Sequence, residues 1–313
     1  MRIAFLGTGD FGAPALRALS KVPDLQIATV ISQPDRPSGR GQAIHATPIH
    51  VVADELGLRH VQTDDVNNAA PADVFDGVDL AIVVAFGQKI GPALLNAIPG
   101  GFINIHASLL PKYRGAAPFQ WAVINGDLET GVTIFKLNER WDAGPIWGQA
   151  RVAIGATETA CELHDRLSQV GAPLLIDVLS RYRAGAVHEL PQDTSVASKA
   201  PKLKKSDGYV DFSQDAFAVA RRINGMWDWP GVSATFTPRE GKPVVVQLAR
   251  AESLDGAGDA APGVLNDDLT IACGRGRVRV LEVKPAGKRL MAFDEFARGR
   301  RLAAGDAFVS PSE

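Results

Sequence analysis

Asn104-Ile105-His106 sets an amide and an imidazole two residues apart at the C-terminal end of a predicted strand. At that spacing both side chains leave the same face of the strand. Later in the chain, Trp141-Asp142-Ala143-Gly144 follows another predicted strand and offers a carboxylate on a glycine-containing loop. These three types suit the transfer of a small acyl group to an amine without a metal. Attack on the acyl carbonyl builds a tetrahedral oxyanion, which an amide N–H can stabilise. The amine must lose a proton and the leaving group must gain one, and an imidazole titrates in the range where it can carry both. A carboxylate beside the ring orients it and favours its protonated form. Each residue also has an ordinary reading: a hydrogen-bonded core histidine, a capping asparagine, a turn-forming Asp-Ala-Gly. The residue types alone leave both readings open.

The elements that must position these groups alternate in type. Residues 2–6 form an apolar run ending at glycine, 13–19 read as a helix, and 25–31 as a second strand. Thr47-Pro48 is a helix start, with Thr as N-cap and Pro at the first helical position, for a helix running to about residue 56. Residues 80–86 (LAIVVAF) are apolar throughout, as expected of a strand buried on both faces of a parallel sheet. Residues 101–106 and 132–137 are further strands. Ala160, Leu163, Leu167, Val170, Leu174 and Val178 recur at helical spacing and predict a long amphipathic helix over 159–182. This alternation predicts an α/β fold, a Rossmann-like open and mostly parallel sheet, for residues 1–188. Residues 189–206 (ELPQDTSVASKAPKLKKS) are polar and proline-containing, and read as a linker. Residues 207–313 hold one helical stretch near 216–224 and short strand-like runs at 232–236, 244–248, 269–272 and 278–283. That pattern predicts a small OB-like β-barrel.

The chain has 313 residues, 46% hydrophobic and 22% charged, with a net charge of −2, so two soluble domains fit without metal or disulfide staples. Bulk charge does not point to nucleic acid, although the part after residue 200 is weakly basic. The N-terminus lacks a signal-peptide pattern, and no run approaches a membrane span. Cys161 and Cys273 lie far apart with no metal-ligand spacing. These features lead us to expect a cytoplasmic monomer that binds no membrane and no metal.

Gly7-Thr8-Gly9-Asp10-Phe11-Gly12 matches the G-x-G-x-x-G dinucleotide pattern between a strand and a helix. That pattern also asks for an acid at the end of the second strand, yet here the strand ends in Ser32-Gln33-Pro34 and Asp35 follows a proline. The segment reads as a tight turn that needs small residues for packing. A dinucleotide-binding oxidoreductase or binding module is the alternative that rests on it.

Asn104-Ile105-His106-Ala107-Ser108-Leu109-Leu110-Pro111 resembles the signature of the 10-formyltetrahydrofolate-dependent formyltransferases. The resemblance implies that Asn104, His106 and Asp142 are the catalytic set. It also implies that Ser108, Leu109, Leu110 and Pro111 contact the folate, and that Ala85, Phe86, Gly87 and Gln88 wall the pterin pocket. Within the family, the chain is similar over nearly its whole length to the branch acting on initiator methionyl-tRNA. Gln33-Pro34-Asp35-Arg36-Pro37-Ser38-Gly39-Arg40-Gly41 resembles that branch's tRNA-contacting loop, which implies tRNA contact by Arg36 and Arg40. Segments at 200–203, 207–211, 229–231 and 284–288 resemble landmarks of its C-terminal barrel, implying a tRNA-binding domain. Gly9 stands where the family usually has proline. Gln42 and Ala43 stand where lysines are common. Asp142-Ala143-Gly144-Pro145 replaces the common Asp-Thr-Gly-Asp and is similar to sugar formyltransferases. An enzyme formylating an amino-sugar nucleotide is therefore the second reading.

Overall fold

In a computed structural model, which describes residues 1–38, 43–68, 73–238, 242–256 and 260–310, β1 (Arg2–Gly7) is followed by α1 (Ala13–Leu19) and β2 (Gln26–Ser32). Two short strands, β3 (Arg36–Ser38) and β4 (Ala43–His45), pair antiparallel. Helix α2 (Pro48–Glu55) starts as its sequence demands: the Thr47 hydroxyl accepts from the His50 N–H at 3.2 Å, satisfying one of the helix's orphan donors. Then come β5 (His60–Gln62), β6 (Leu80–Val84), α3 (Pro92–Leu95) and β7 (Phe102–His106). The chain continues through β8 (Arg114–Gly115), α4 (Pro118–Ile124), β9 (Glu129–Lys136), β10 (Ile146–Ala153) and α5 (Ala160–Arg183).

The main sheet has the order β10-β9-β7-β6-β1-β2-β5. The pairs β2/β5, β1/β2, β1/β6 and β6/β7 are parallel, while β7/β9 is antiparallel. From β1 the chain moves outward through β2 to β5, then returns to the other side of β1 with β6 and β7. The order therefore reverses between β1 and β6, and crevices at such points lie beyond the strand C-termini. All five residues of β6 are buried, as a strand covered on both faces requires. Gly7 carries no side chain for a packing reason: a Cβ there would stand 2.9 Å from the Phe5 ring, 3.0 Å from the Val84 carbonyl and 3.2 Å from Ile49. The glycine segment is thus a close strand-to-helix turn. On one face α5 crosses with Gly171 over Ile105 and Val132.

The chain divides into two compact units. One is Met1–Gly115, Gly131–Val152 and His164–Lys199; the other is Ala116–Thr130, Ala153–Leu163 and Ala200–Glu313. The stretch 189–206 is ordered by specific pairing. Leu190 bridges Ile146, and β11 (Lys199–Ala200) pairs with β8.

The second unit adds α6 (Ala216–Met226), β12 (Val232–Thr237), β13 (Val244–Leu254), β14 (Ile271–Ala272), β15 (Arg277–Pro285), β16 (Met291–Ala292), α7 (Phe293–Arg300) and β17 (Ala307–Val309). Its sheet runs β14-β15-β13-β12-β17, with β16 on β15. Bridges from Val264 to Ala307 and from Leu265 to Ile271 connect the two ends, so the sheet closes nearly into a barrel. Phe236, Phe293, Phe296 and Phe308 meet inside it. The fully buried Asn224 of α6 both donates to and accepts from the backbone of Ala251, at 2.9 and 2.8 Å, where β13 is irregular. Arg250 forms a fork with Glu162 at 2.6 and 2.9 Å and pairs with Glu282 at 2.7 Å. Glu162 also accepts from the N–H of Thr159 at the start of α5.

Candidate active site

Strand β7 carries Asn104 and His106 on one face, at the C-terminal end of the parallel set. His106 is buried (6% exposed), with its ring edge-on to Phe135. Its Nε2 lies 2.8 Å from the Tyr113 carbonyl oxygen. A carbonyl can only accept, so Nε2 carries the hydrogen in the neutral ring and Nδ1 is left to receive a proton. Nδ1 faces the Asp142 carboxylate, with Oδ2 at 3.9 Å. That distance is too long for a hydrogen bond and leaves the carboxylate facing the ring nitrogen across a short gap. Asp142 is itself buried (8% exposed), and its Oδ2 accepts from the Gly115 N–H at 2.8 Å. No side-chain hydrogen bond among the described residues engages the half-buried Asn104 amide, which leaves its N–H groups available to an incoming oxyanion.

The turn that follows β7 is built from within. Ser108, fully buried, donates to the Lys112 carbonyl at 2.7 Å. The Thr133 hydroxyl on β9 donates to the Ser108 carbonyl at 2.6 Å and accepts from the Leu110 N–H at 3.0 Å. Gln149 on β10 donates to the Leu110 carbonyl and to Thr133, both at 2.9 Å. Leu110 is buried, while Leu109 and Pro111 are partly exposed, so the turn offers an apolar edge held by polar ties behind it.

The loop at 85–88 leaves β6 at the sheet's reversal point. Ala85 and Gly87 are exposed and Phe86 is buried. The Phe86 carbonyl accepts from the Thr8 hydroxyl at 3.1 Å and from Gln33 Nε2 at 2.9 Å, tying the loops after β6, β1 and β2 together. The Gln88 amide is taken up on the other side, donating to the Thr63 carbonyl and accepting from the Val66 N–H, both at 2.7 Å. Gln88 therefore shapes the loop through its side chain.

Three of the six non-glycine residues with positive φ among the described residues belong to these segments: Ala85 (45°), Tyr113 (62°) and Asp142 (47°). Left-handed backbone at such residues costs about 1–3 kcal/mol each and persists where surrounding contacts fix it, most often at functional sites.

Arg36 stands on β3, exposed, 3.6 Å from Asp64. Arg40 lies outside the described residues. Asp35 is not free to hold a ribose hydroxyl. Its carboxylate accepts from the Thr47 N–H (2.9 Å), Gln62 Nε2 (2.7 Å) and His50 Nδ1 (2.9 Å). Burial opposes its ionisation, but these hydrogen bonds outweigh that effect and hold the carboxyl below its usual range. His50 stacks on His60 at 4.3 Å; burial and then the neighbouring His50 push the His60 imidazole down. The hairpin base is thereby anchored to α2 and β5. Among the described residues, no group of three or more His, Cys, Asp or Glu side chains is arranged to hold a metal ion.

Sequence reasoning passed over Tyr113, whose contribution is a backbone carbonyl, and over Thr133, Gln149 and Gln192. For Thr133 a signal existed, since a hydroxyl inside an apolar strand demands a partner.

With this geometry in view, comparison with known proteins is decisive. Residues 1–179 match the formyl transferase family and residues 202–301 match the formyl transferase C-terminal domain. The methionyl-tRNA formyltransferase of Heliobacterium modesticaldum is 41% identical over 98% of this chain and 100% of its own length. The chain belongs to the methionyl-tRNA formyltransferase family. The Gluconacetobacter diazotrophicus methionyl-tRNA formyltransferase is 40% identical over 97% of this chain and 98% of its own. Two solved structures share the fold. The sugar 3N-formyl transferase WlaRD superposes with a TM-score of 0.66 at 16% identity over 92% of this chain and 99% of that one. HypX from Aquifex aeolicus in complex with tetrahydrofolic acid superposes with a TM-score of 0.60 at 18% identity, covering 95% of this chain and 47% of that one. The expected Rossmann-like sheet followed by a barrel is the architecture found.

Proposed function

We propose that this enzyme transfers a formyl group from 10-formyltetrahydrofolate to the α-amine of methionine on initiator methionyl-tRNA. The observation that carries the residue assignment is the placement of His106 between the Tyr113 carbonyl and the Asp142 carboxylate, with Asn104 beside it on the strand. Asn104 donates to the oxyanion that forms as the amine attacks the formyl carbon. Nδ1 of His106 takes the amine's proton and delivers a proton to the departing folate nitrogen, while Nε2–H stays on Tyr113. Asp142 supports the positive charge on the ring during this exchange.

The residues fit a folate donor. The loop at 85–88 follows β6 and the turn at 108–111 follows its parallel neighbour β7, so both lie beyond strand C-termini, on the side where Asn104 carries an unengaged amide. Arg36 and Arg40 contact the acceptor end of the tRNA, and basic residues of the C-terminal domain contact phosphates. We propose a domain division at 1–188, 189–206 and 207–313, and a monomeric enzyme working in the cytoplasm. Among the described residues no helix is long and apolar enough to cross a membrane.

The test is formyl transfer from formyltetrahydrofolate to methionyl-tRNA, run beside amino-sugar nucleotides as acceptors. Robust transfer to the tRNA and none to the sugars is the expected result. His106→Ala and Asp142→Ala should each lower turnover at least ~100-fold while leaving the thermal melt near wild type. Near-normal turnover in either variant refutes its assigned role.

A further inference from the structure

We infer that Gln192, in the polar stretch after α5, is a positioning residue that sets the Asp142 carboxylate against His106. Its side-chain amide is saturated by two segments that wall the imidazole. Nε2 donates to the Asp142 carbonyl at 2.9 Å and to the Gly144 carbonyl at 2.8 Å. Oε1 accepts from Arg114 Nε at 3.1 Å and Nη2 at 2.7 Å. A guanidinium only donates and a carbonyl only accepts, so the chemistry of the partners fixes which end of the amide faces which.

The two tied segments are the ones that touch His106. Tyr113, next to Arg114, holds Nε2 through its carbonyl. Gly115, on the other side of Arg114, donates to the Asp142 carboxylate. Asp142 sits in left-handed backbone, a conformation uncommon outside glycine that neighbouring contacts help to hold. The Gln192 donors grip the carbonyls of residues 142 and 144, on either side of Ala143. With that grip lost, the Asp142 backbone is free to relax and its carboxylate to leave the imidazole.

A glutamate at this position separates the two halves of the clamp. It keeps the acceptor for Arg114 but replaces both donors with oxygen, which repels the carbonyls of Asp142 and Gly144. The inference rests on the reading of Asp142 and His106 as reacting groups, so the experiment tests both. Turnover and KM for each substrate are measured for Gln192→Glu, Gln192→Ala, Asp142→Ala and the Gln192→Ala/Asp142→Ala double variant, with thermal melts for all four. Gln192→Glu and Gln192→Ala should each lower kcat about 30-fold, the scale of a displaced reacting group, with both KM values changing less than about 3-fold. In the Asp142→Ala background, Gln192→Ala should cost less than about 3-fold more, because the group it positions is already gone.

Near-normal kcat in both folded single variants overturns the inference. So does full additivity in the double variant, a fall in Gln192→Ala that Gln192→Glu restores, or failure of both single variants to fold, each of which makes Gln192 a purely structural tie. If Asp142→Ala itself keeps normal turnover, the reading of the site fails instead, whatever Gln192 does.

Discussion

Two carbonyls and one carboxylate decide how His106 and Asp142 meet, and each depends on a backbone that has little room to move. Gly144 shows how little. A Cβ there would stand 1.8 Å from the Lys136 carbonyl oxygen, so any side chain must push the loop off β9. The adjacent tie, from the Lys136 N–H to the Pro145 carbonyl at 2.9 Å, would be lost in that movement. Gly144→Ala should therefore carry the Asp142 carboxylate away from the imidazole and lower kcat about 10- to 100-fold, with KM for folate changed far less. Steady-state kinetics on the purified variant check this; an unchanged kcat would show that the loop tolerates displacement. The same reasoning explains why Asp-Ala-Gly, ordinary as a turn, has chemical meaning here: the glycine is required by a neighbour, and the aspartate by what that glycine permits.

At the scale of elements, the second unit combines an aromatic core with polar ties nearer the surface. The Arg250 fork holds the Glu162 carboxyl down at about 2, against 4.5 when unperturbed, with the Thr159 hydrogen bonds helping and burial opposing. The sign follows from that depression. Above about pH 4.5 the ionised carboxylate contributes its full stabilisation; as pH falls from there toward 2, the carboxyl protonates and the contribution is lost. Glu162→Gln should melt about 2–4 °C below wild type at pH 7, a modest figure because the carboxylate is half exposed and screened. The gap should close as pH drops from 4.5 to 2.5, as read by calorimetry; a gap that stays constant would assign the ties another role.

Which elements were legible in the sequence has a physical pattern. The strand expected over 80–86 reads plainly because burial on both faces leaves only apolar types, and it ends at Val84, where Ala85 turns to left-handed backbone. The helix at residue 48 read plainly because Thr47 and Pro48 obey local rules, without help from distant contacts. Strand β10 leaves no clear pattern: its buried start, Ile146 and Trp147, is followed by Gly148 and polar residues that break any simple alternation. The stretch 189–206 reads as a linker because its partners are backbone carbonyls and N–H groups elsewhere, which leave no pattern in a list of side chains. Asn104, His106 and Asp142 were legible as types, but their convergence depends on a strand-and-loop register that no local spacing encodes.

Across the whole molecule, the two proposed substrates differ in scale: a small folate donor and a large polyanion. The two should respond differently to salt. Binding that neutralises phosphates releases counterions and weakens steeply as ionic strength rises. KM for methionyl-tRNA should rise at least ~10-fold between 50 and 200 mM salt, while KM for the folate donor changes by less than about 3-fold. Arg36→Ala, on the exposed hairpin, should raise KM for the tRNA and flatten its salt dependence, with folate use intact; Arg40→Ala should act in the same direction. Equal losses toward both substrates would take the hairpin out of tRNA recognition.

The Phe86 carbonyl, shared between Thr8 and Gln33, has a consequence for anyone who would redesign this enzyme's donor. Gly87 sits so near the Gln33 amide that a Cβ would stand 2.5 Å from it, and the same amide is tied to the Phe86 carbonyl. Swapping residues 85–88 for those of a relative with another appetite would bring in a lip without its hinges. A transplant would have to include residues 8 and 33, three stretches of chain inherited together.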